Sequence, residues 1–259
     1  MSILEVPGGR LAYEVTGQGP LVVCAHGMGD SRAAFGSLTP LLVEAGYRVA
    51  SLDVRGHGES STGWSDYSQS AVAGDILALV RHLGGPAILV GSSSSAGAVP
   101  ITAAEAPEEV ERVVLIGPFV GKPQLSLFLR LIQGAVMASP TLWTMYYKTL
   151  FPTAKPGKEY MRAMKRTLRE PGRMAAVSGV VAPAPVHWTD RAGEVRCPVL
   201  IMMGTKDPDF PDPAAEARLA EDLLADARIT MIEGGGHLPH AELPEATFAA
   251  IDAFLVKHA

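Results

Sequence analysis

Two cysteines are all that this 259-residue chain contains. Cys24 and Cys197 each sit in an apolar, strand-like run, where a thiol behaves as a small buried hydrophobe. At most one disulfide can form and nothing in the sequence supports it, so a reducing cytoplasm is the expected compartment. Charge is also sparse, at 19% of residues with a net charge of −5, so the chain as a whole offers nucleic acid no basic surface. No uninterrupted apolar run is long enough to span a bilayer, and no membrane partner is expected. The first residues, Met1-Ser2-Ile3-Leu4-Glu5-Val6-Pro7, lack the basic segment and apolar stretch of a secretory signal. There is no internal repeat and no low-complexity tract. His26, His57, His187, His237 and His240 show no tight ligand spacing, so no metal is expected. Gly27-Met28-Gly29-Asp30 lacks the third glycine of a dinucleotide fingerprint, and no cofactor is expected either.

What is present is the composition of an ordinary globule, 47% hydrophobic, in a chain long enough to bury a full core. Residues 2–16 read as two strands about the turn Pro7-Gly8-Gly9, the second alternating Leu11, Tyr13 and Val15 with Arg10, Ala12 and Glu14. Leu21 to Ala25 is a continuous apolar strand. Ser31 to Ala45 has helical spacing at Phe35, Leu38, Leu41 and Leu42, and Gly46 ends it. Arg48 to Leu52 is a strand, Tyr67 to Leu83 a helix, Ile88 to Val90 a strand, residues 96–106 a helix, and Val110 to Ile116 a strand. Strands and helices alternate from residue 21 to residue 116, the pattern of a parallel sheet with helices on both faces. Residues 121–188 then read as entirely helical, with breaks at Pro140, Pro152, Pro156 and Pro171. Sheet character returns over Val195 to Met203, followed by a helix over 213–225, a strand over 228–233 and a closing helix over 243–257.

Five stretches carry chemistry. The strand Ile88-Leu89-Val90 runs into Gly91-Ser92-Ser93-Ser94-Ser95-Ala96-Gly97, a sharp strand-to-helix turn crowded with serines. Two registers are open: Ser93 with Gly91 before it and Ser95 in the second glycine position, or Ser95 with Ser93 before it and Gly97 after. Direct continuity with Leu89-Val90 favours Ser93. The strand at 21–25 leads into His26-Gly27-Met28-Gly29-Asp30. Arg48 to Leu52 leads into Asp53-Val54-Arg55-Gly56-His57-Gly58-Glu59-Ser60. After residue 203 comes Gly204-Thr205-Lys206-Asp207-Pro208-Asp209, with Asp212 close behind. The last strand ends in Glu233-Gly234-Gly235-Gly236-His237-Leu238-Pro239-His240.

These stretches resemble the α/β-hydrolases: the nucleophile elbow Gly-x-Ser-x-Gly, the His-Gly loop after the third strand, the Asp-x-Arg-Gly-His-Gly-x-Ser turn, the Gly-x-x-Asp turn after the seventh strand, and a histidine in a glycine-rich loop after the last. The resemblance spans nearly the whole chain. It implies an α/β fold with a mostly parallel central sheet flanked by helices, with residues 1–120 and 189–259 as core and 121–188 as an inserted helical cap. It implies Ser93 as nucleophile, His237 as base and then acid, and Asp207 as the group that orients the imidazole, in the family's chain order. Asp209 and Asp212 are rivals to Asp207, and His240 is the alternative to His237. The backbone N–H groups of Met28 and Ser94 are the implied oxyanion donors. His26 reads as a loop-holding histidine, and Asp53 and His57 as parts of a structural turn. Ser95 departs from the family by placing a side chain where glycine is usual.

The expected activity is hydrolysis of a carboxylic ester, lactone or thioester of a small, largely apolar substrate. Carbon–carbon bond hydrolysis or perhydrolysis on the same residues, as in haloperoxidases, is the enzymatic alternative. A non-catalytic ligand-binding homologue is the third class, since a fold does not dictate a function. The cap segment carries ten Lys or Arg (122, 130, 148, 155, 158, 162, 165, 166, 169 and 173) against Glu159 and Glu170, a net +8 in an otherwise acidic chain. A solvated helix face accounts for such a run, and attraction of an anionic substrate or an acidic carrier protein is the sharper expectation. Trp143 and the methionines 137, 145, 161 and 164 read as cap core.

Overall fold

The sheet is built from strands that have nowhere to expose a side chain. In the computed structural model, which describes residues 1–121, 127–182 and 186–256, β3 (Leu21–Ala25), β5 (Ala87–Ser92) and β7 (Val199–Gly204) are buried at every position. Such strands are covered by helices on both faces. The period of two divides them between two cores. Leu21, Val23, Ala25, Ala87 and Leu89 face one cluster, and Val22, Cys24, Ile88 and Val90 face the other. Cys24 and Cys197 are both free thiols.

The sheet has eight strands in the order β1-β2-β4-β3-β5-β6-β7-β8. β1 (Ser2–Val6), β2 (Gly9–Thr16) and β4 (Arg48–Leu52) pair antiparallel, and from β4 through β3, β5, β6 (Val110–Ile116), β7 and β8 (Ala227–Ile232) all pairing is parallel. The mostly parallel architecture expected from the alternating pattern is therefore present. Among the described residues ten α-helices connect and cover it: α1 (Leu38–Glu44), α2 (Gln69–His82), α3 (Ala98–Glu105), α4 (Leu127–Ala138), α5 (Pro140–Thr149), α6 (Lys158–Thr167), α7 (Arg173–Val180), α8 (Pro213–Glu221), α9 (Pro239–Glu242) and α10 (Pro244–Val256). Among the described residues no helix is long and apolar enough to cross a membrane.

Several elements differ from the sequence expectation, each for a local reason. The helix expected over 31–45 is split into a 3-10 turn, Arg32–Phe35, and α1. Pro40 lies in the first turn of α1, where its ring and missing N–H prevent a continuous helix back through Gly36. The helix expected over 67–83 starts at Gln69, because the Ser68 side chain caps it by accepting from the N–H of Ala71. The helix expected from 213 stops at Glu221, and α9 precedes α10. In β2, Ala12 is buried along with Leu11 and Tyr13, because the loop after β4 lies on it and Ser60 Oγ accepts the Ala12 N–H at 2.9 Å.

Between β6 and β7 the described residues form α4 to α7, with non-helical links at 150–157 and 168–172. Residues 122–126 and 183–185 of the expected cap lie outside the described residues. Met137, Trp143, Tyr147, Met161 and Met164 make a third apolar cluster, which Leu238 of the His237 loop joins. Met145, by contrast, is exposed. On α6, Met161 and Met164 point inward while Lys158, Arg162 and Arg166 are exposed. These three basic residues form a solvated face along α6, whereas Arg173 at the start of α7 is buried and donates to the carbonyl of Ser60.

Candidate active site

The turn after β5 holds the chain's one non-glycine residue with a left-handed backbone among those described, Ser93, at φ 55°. That strain is the cost of projecting a side chain from a tight strand-to-helix reversal. Gly91 is required there, since a Cβ would stand 2.4 Å from the carbonyl oxygen of Ser95. Gly27 is required on the facing loop, since its Cβ would stand 2.8 Å from that of Ser93. The β3 loop therefore lies directly against Ser93, which remains half-buried and reachable.

Three side chains from three strand ends meet at this point. Ser93 Oγ lies 2.9 Å from His237 Nε2, and His237 Nδ1 lies 2.7 Å from Asp207 Oδ2. A carboxylate only accepts, so Nδ1–H donates to Asp207 and Nε2 accepts the Ser93 hydroxyl. Burial works against the imidazolium, but the hydrogen bond and charge of Asp207, with the charge of Asp209 added, outweigh it and hold His237 above the usual histidine value. Gly117 and Gly204 let the β6 and β7 loops approach closely. A Cβ on Gly117 would lie 3.0 Å from His237 Cε1, and one on Gly204 would lie 2.2 Å from two carbonyl oxygens of the Gly234-Gly235-Gly236 run.

The rival residues are placed elsewhere. Ser95 is buried, and its hydroxyl donates to the carbonyl of His26 at 2.6 Å, so the side chain that replaces the usual glycine is absorbed by the β3 loop. Asp212 caps α8 through the N–H of Ala215. Asp209 lies on the other side of the imidazole, its Oδ2 3.7 Å from Nε2. His240 is buried and stacked on Phe35 at 4.7 Å, with burial lowering its pKa to about 3. His26 accepts the N–H of Val54 at Nε2 and donates from Nδ1 to the carbonyl of Gly27, and burial lowers its pKa to about 4. It holds the loop as a neutral ring. Asp53 binds Arg32 and the N–H groups of Arg32 and Glu59, while Arg55 is forked onto Asp75 by two 2.7 Å bonds. That turn is structural.

Ser94 and Met28, the expected oxyanion donors, follow Ser93 and Gly27 in the chain. Ser94 occupies the second position of the helical turn Ser93–Ala96, where an N–H has no intrahelical acceptor. Met28 follows Gly27 in the loop packed on Ser93, and its half-buried side chain rests on the α4–α7 cluster.

Sequence reasoning missed the residues that tie α4–α7 to the site. On α5, Trp143, Tyr146 and Tyr147 share one face at i, i+3 and i+4. Tyr146 donates to Asp209, and Tyr147, joined by Tyr160 of α6, donates to the buried carboxylate of Asp30 beside the Met28 loop. Burial, opposed by these donors, raises the Asp30 pKa to about 6. The carbonyl of Leu150 accepts the N–H of His237 at 3.0 Å. Buried Glu242 accepts the N–H groups of Thr153, Ala154 and Gly236. The only available signal was the aromatic spacing on α5.

Oxygen and nitrogen atoms of Asp207, Asp209 and His237 lie within 4.8 Å of one another and could converge on a cation. Here Asp207 and Nε2 are already committed to the Ser93 chain of hydrogen bonds. A separate groove of about 1110 Å³, lined by residues including Glu14, Arg32, Asp53 and Arg173, contains none of Ser93, Asp207 and His237.

A sequence model of the alpha/beta hydrolase family matches residues 22–251. An uncharacterized protein of Mycobacterium tuberculosis is 26% identical over 275 residues, covering 96% of this chain and 79% of its own. A non-heme haloperoxidase of Rhodococcus erythropolis is 28% identical, covering 89% and 90%. Among solved structures, a bromoperoxidase from Bacillus anthracis superposes with a TM-score of 0.86 at 22% identity, over 98% of this chain and 99% of its own. The esterase RhEst1 from Rhodococcus sp. ECU1013 superposes with a TM-score of 0.84 at 24% identity, over 99% of both chains. At these identities the two structures establish a shared fold.

Proposed function

The chain belongs to the alpha/beta hydrolase family, and we propose that it cleaves a carboxylic ester, lactone or thioester of a small, largely apolar substrate through an acyl-enzyme on Ser93. The observation that carries this reading is the unbroken hydrogen-bond chain Ser93–His237–Asp207. Ser93 is a weak nucleophile until its proton is taken. His237 Nε2 takes it as Oγ attacks the carbonyl carbon, and Asp207 stabilises the imidazolium that forms. The N–H groups of Met28 and Ser94 receive the negative oxygen, each lowering the barrier by on the order of 3 kcal/mol. Nε2–H then protonates the leaving oxygen, and water, activated by the same nitrogen, releases the acid. Phe119, Phe210 and Met28 give the surroundings of Ser93 their apolar character, and α4–α7 act as a cap over them.

The test is covalent labelling with a fluorophosphonate, the adduct located by peptide mass spectrometry in the wild type and in Ser93→Ala, Ser95→Ala and His237→Ala. Rapid labelling at Ser93, lost in Ser93→Ala and His237→Ala but kept in Ser95→Ala, is the expected result. An unlabelled Ser93 in the folded protein overturns the reading in favour of ligand binding without turnover. The likeness to the Rhodococcus erythropolis haloperoxidase favours a second reading, in which hydrogen peroxide replaces water and releases a peracid. Bromide oxidation dependent on both peroxide and a carboxylic acid distinguishes it.

A further inference from the structure

Asp209 stands on the reacting side of His237. Its Oδ2 is 3.7 Å from Nε2, the nitrogen that meets Ser93, whereas Asp207 holds the opposite nitrogen. The carboxylate is fixed from two directions. Tyr146 of α5 donates its hydroxyl to both Asp209 oxygens at 2.8 Å, and the N–H of Asp209 donates to Asp207 Oδ1 at 2.9 Å. Among the described residues, the groups that act on Asp209 are His237, Tyr146 and Asp207, and none is a lysine or arginine. A half-buried carboxylate whose partner of opposite charge is an imidazole, cationic only when protonated, is costly to keep in a site.

Aromatic rings close around the same place. Phe119, after β6, and Phe210, after β7, pack on each other at 4.7 Å, and both lie against the His237 ring at 5.4 and 6.0 Å. Tyr146 supplies a third ring. All three, with Asp209, are half-buried. A carboxylate set among aromatic rings is the composition that holds an organic ammonium ion. Its position defines the part of the substrate concerned. Nε2–H must reach the leaving oxygen, so the atoms attached to that oxygen lie beside Nε2, where Asp209 is. A nitrogen two carbons beyond an ester oxygen is roughly 3–3.8 Å from it, within reach of Asp209.

We propose that Asp209, Tyr146, Phe119 and Phe210 form a leaving-group subsite for an organic ammonium, so that the preferred substrates are esters or thioesters of a cationic amino alcohol or amino thiol. The inference rests on the acyl-enzyme reading. Ser93 Oγ bonds to the acyl carbon, the bond from that carbon to the amino alcohol oxygen or thiol sulfur breaks, and the His237 proton goes to the departing atom. The ammonium keeps its charge throughout. The field beside Ser93 is thereby opposite in sign to the net charge of the cap.

The experiment compares a thiocholine ester with the 3,3-dimethylbutyl thioester of the same acid, its uncharged isostere, in the wild type and in Asp209→Asn. The expected kcat/KM ratio favours the thiocholine ester by about tenfold in the wild type, the range of a charge-assisted aromatic contact, and falls towards one in the variant. Phosphonylating agents with the same two leaving groups read the same ratio from inactivation rates if neither thioester turns over. In the wild type alone, tetramethylammonium chloride slows labelling by an uncharged fluorophosphonate, and sodium chloride of equal strength does not. A wild-type ratio near one, a ratio unchanged in Asp209→Asn, or equal effects of the two salts overturns the subsite. Failure of the uncharged fluorophosphonate to label Ser93 overturns the acyl-enzyme reading instead.

Discussion

The hydroxyl of Ser95 donates to the backbone carbonyl of His26 across 2.6 Å. One bond joins the elbow that carries Ser93 to the loop that carries Met28, so the two proposed oxyanion donors are held in mutual register. The position that the Gly-x-Ser-x-Gly elbow motif gives to glycine serves here as a rivet. Ser95→Ala leaves the His26 carbonyl buried without that donor and is expected to cost ~1–3 kcal/mol of stability, read from urea midpoints. Its kcat falls several-fold while Ser93 remains the labelled residue.

Ser93→Ala, His237→Ala and Asp207→Asn each remove one member of a hydrogen-bonded unit. Each is expected to lower kcat/KM on an activated ester by about 10³-fold or more, and the double variants little further, because members of such a unit are not additive. Unchanged circular dichroism and melting temperature confirm that the loss is chemical.

His237 acts as a base only when Nε2 is unprotonated. Its pKa is held above the ordinary value of 6.5, burial opposing the shift and Asp207 then Asp209 producing it. The acid limb of kcat/KM is therefore expected above that value in the wild type. Asp207→Asn moves the limb to lower pH by removing the hydrogen bond and the nearer charge, and Asp209→Asn moves it in the same direction by less. A pH–rate profile from pH 5 to 9 reads both shifts.

Asp30 reverses the usual pH dependence of a carboxylate. Burial raises its folded-state pKa from 3.8 to about 6, so between these values the folded state binds more protons than the unfolded chain. Its contribution makes stability fall as pH rises through this window. Asp30→Asn is expected to remove that contribution, so the difference in urea midpoint, variant minus wild type, increases from pH 4.5 to pH 6.5. Tyr147→Phe takes away one donor to the charged form and steepens the fall.

Gly29 has φ 71° and faces Trp143, whose Nε1 would lie 2.3 Å from a Cβ there. Gly29→Ala must displace either the Met28 loop or α5. It is expected to lower kcat by about tenfold or more through the disturbed oxyanion geometry, with KM also changed because the cap shifts.

Much of this site was legible because its constraints are local. Gly91 before Ser93, the glycines before His237 and the glycine three residues before Asp207 are demands of single tight turns, and such demands are written within a few residues. The choice of Ser93 over Ser95 rests on strand continuity; in the structure Ser93 has the left-handed φ and the Ser95 hydroxyl is bonded to the His26 carbonyl. The two carboxylates at 207 and 209 were not separable in this way. They lie on one turn, and only the path of that turn about the imidazole determines which nitrogen each one meets. The bonds from Asp30 to Tyr147 and Tyr160 cross 117 and 130 residues of chain, and no spacing encodes them.

The order of buried strands and amphipathic helices, the turns that need glycine, and the succession Ser93, Asp207, His237 were properties of the amino-acid sequence itself. They arise from short-range sterics and from the periodicity of apolar side chains, which act along the chain. Tertiary structure alone decided that Asp209 faces the reacting nitrogen, that Ser95 fastens the β3 loop, that α5 reaches Asp30 and Asp209, and that Leu150, just after it, accepts the N–H of His237. Those relationships depend on where separately folded elements come to rest against one another. That placement is set by the packing of whole faces, which no single stretch of residues contains.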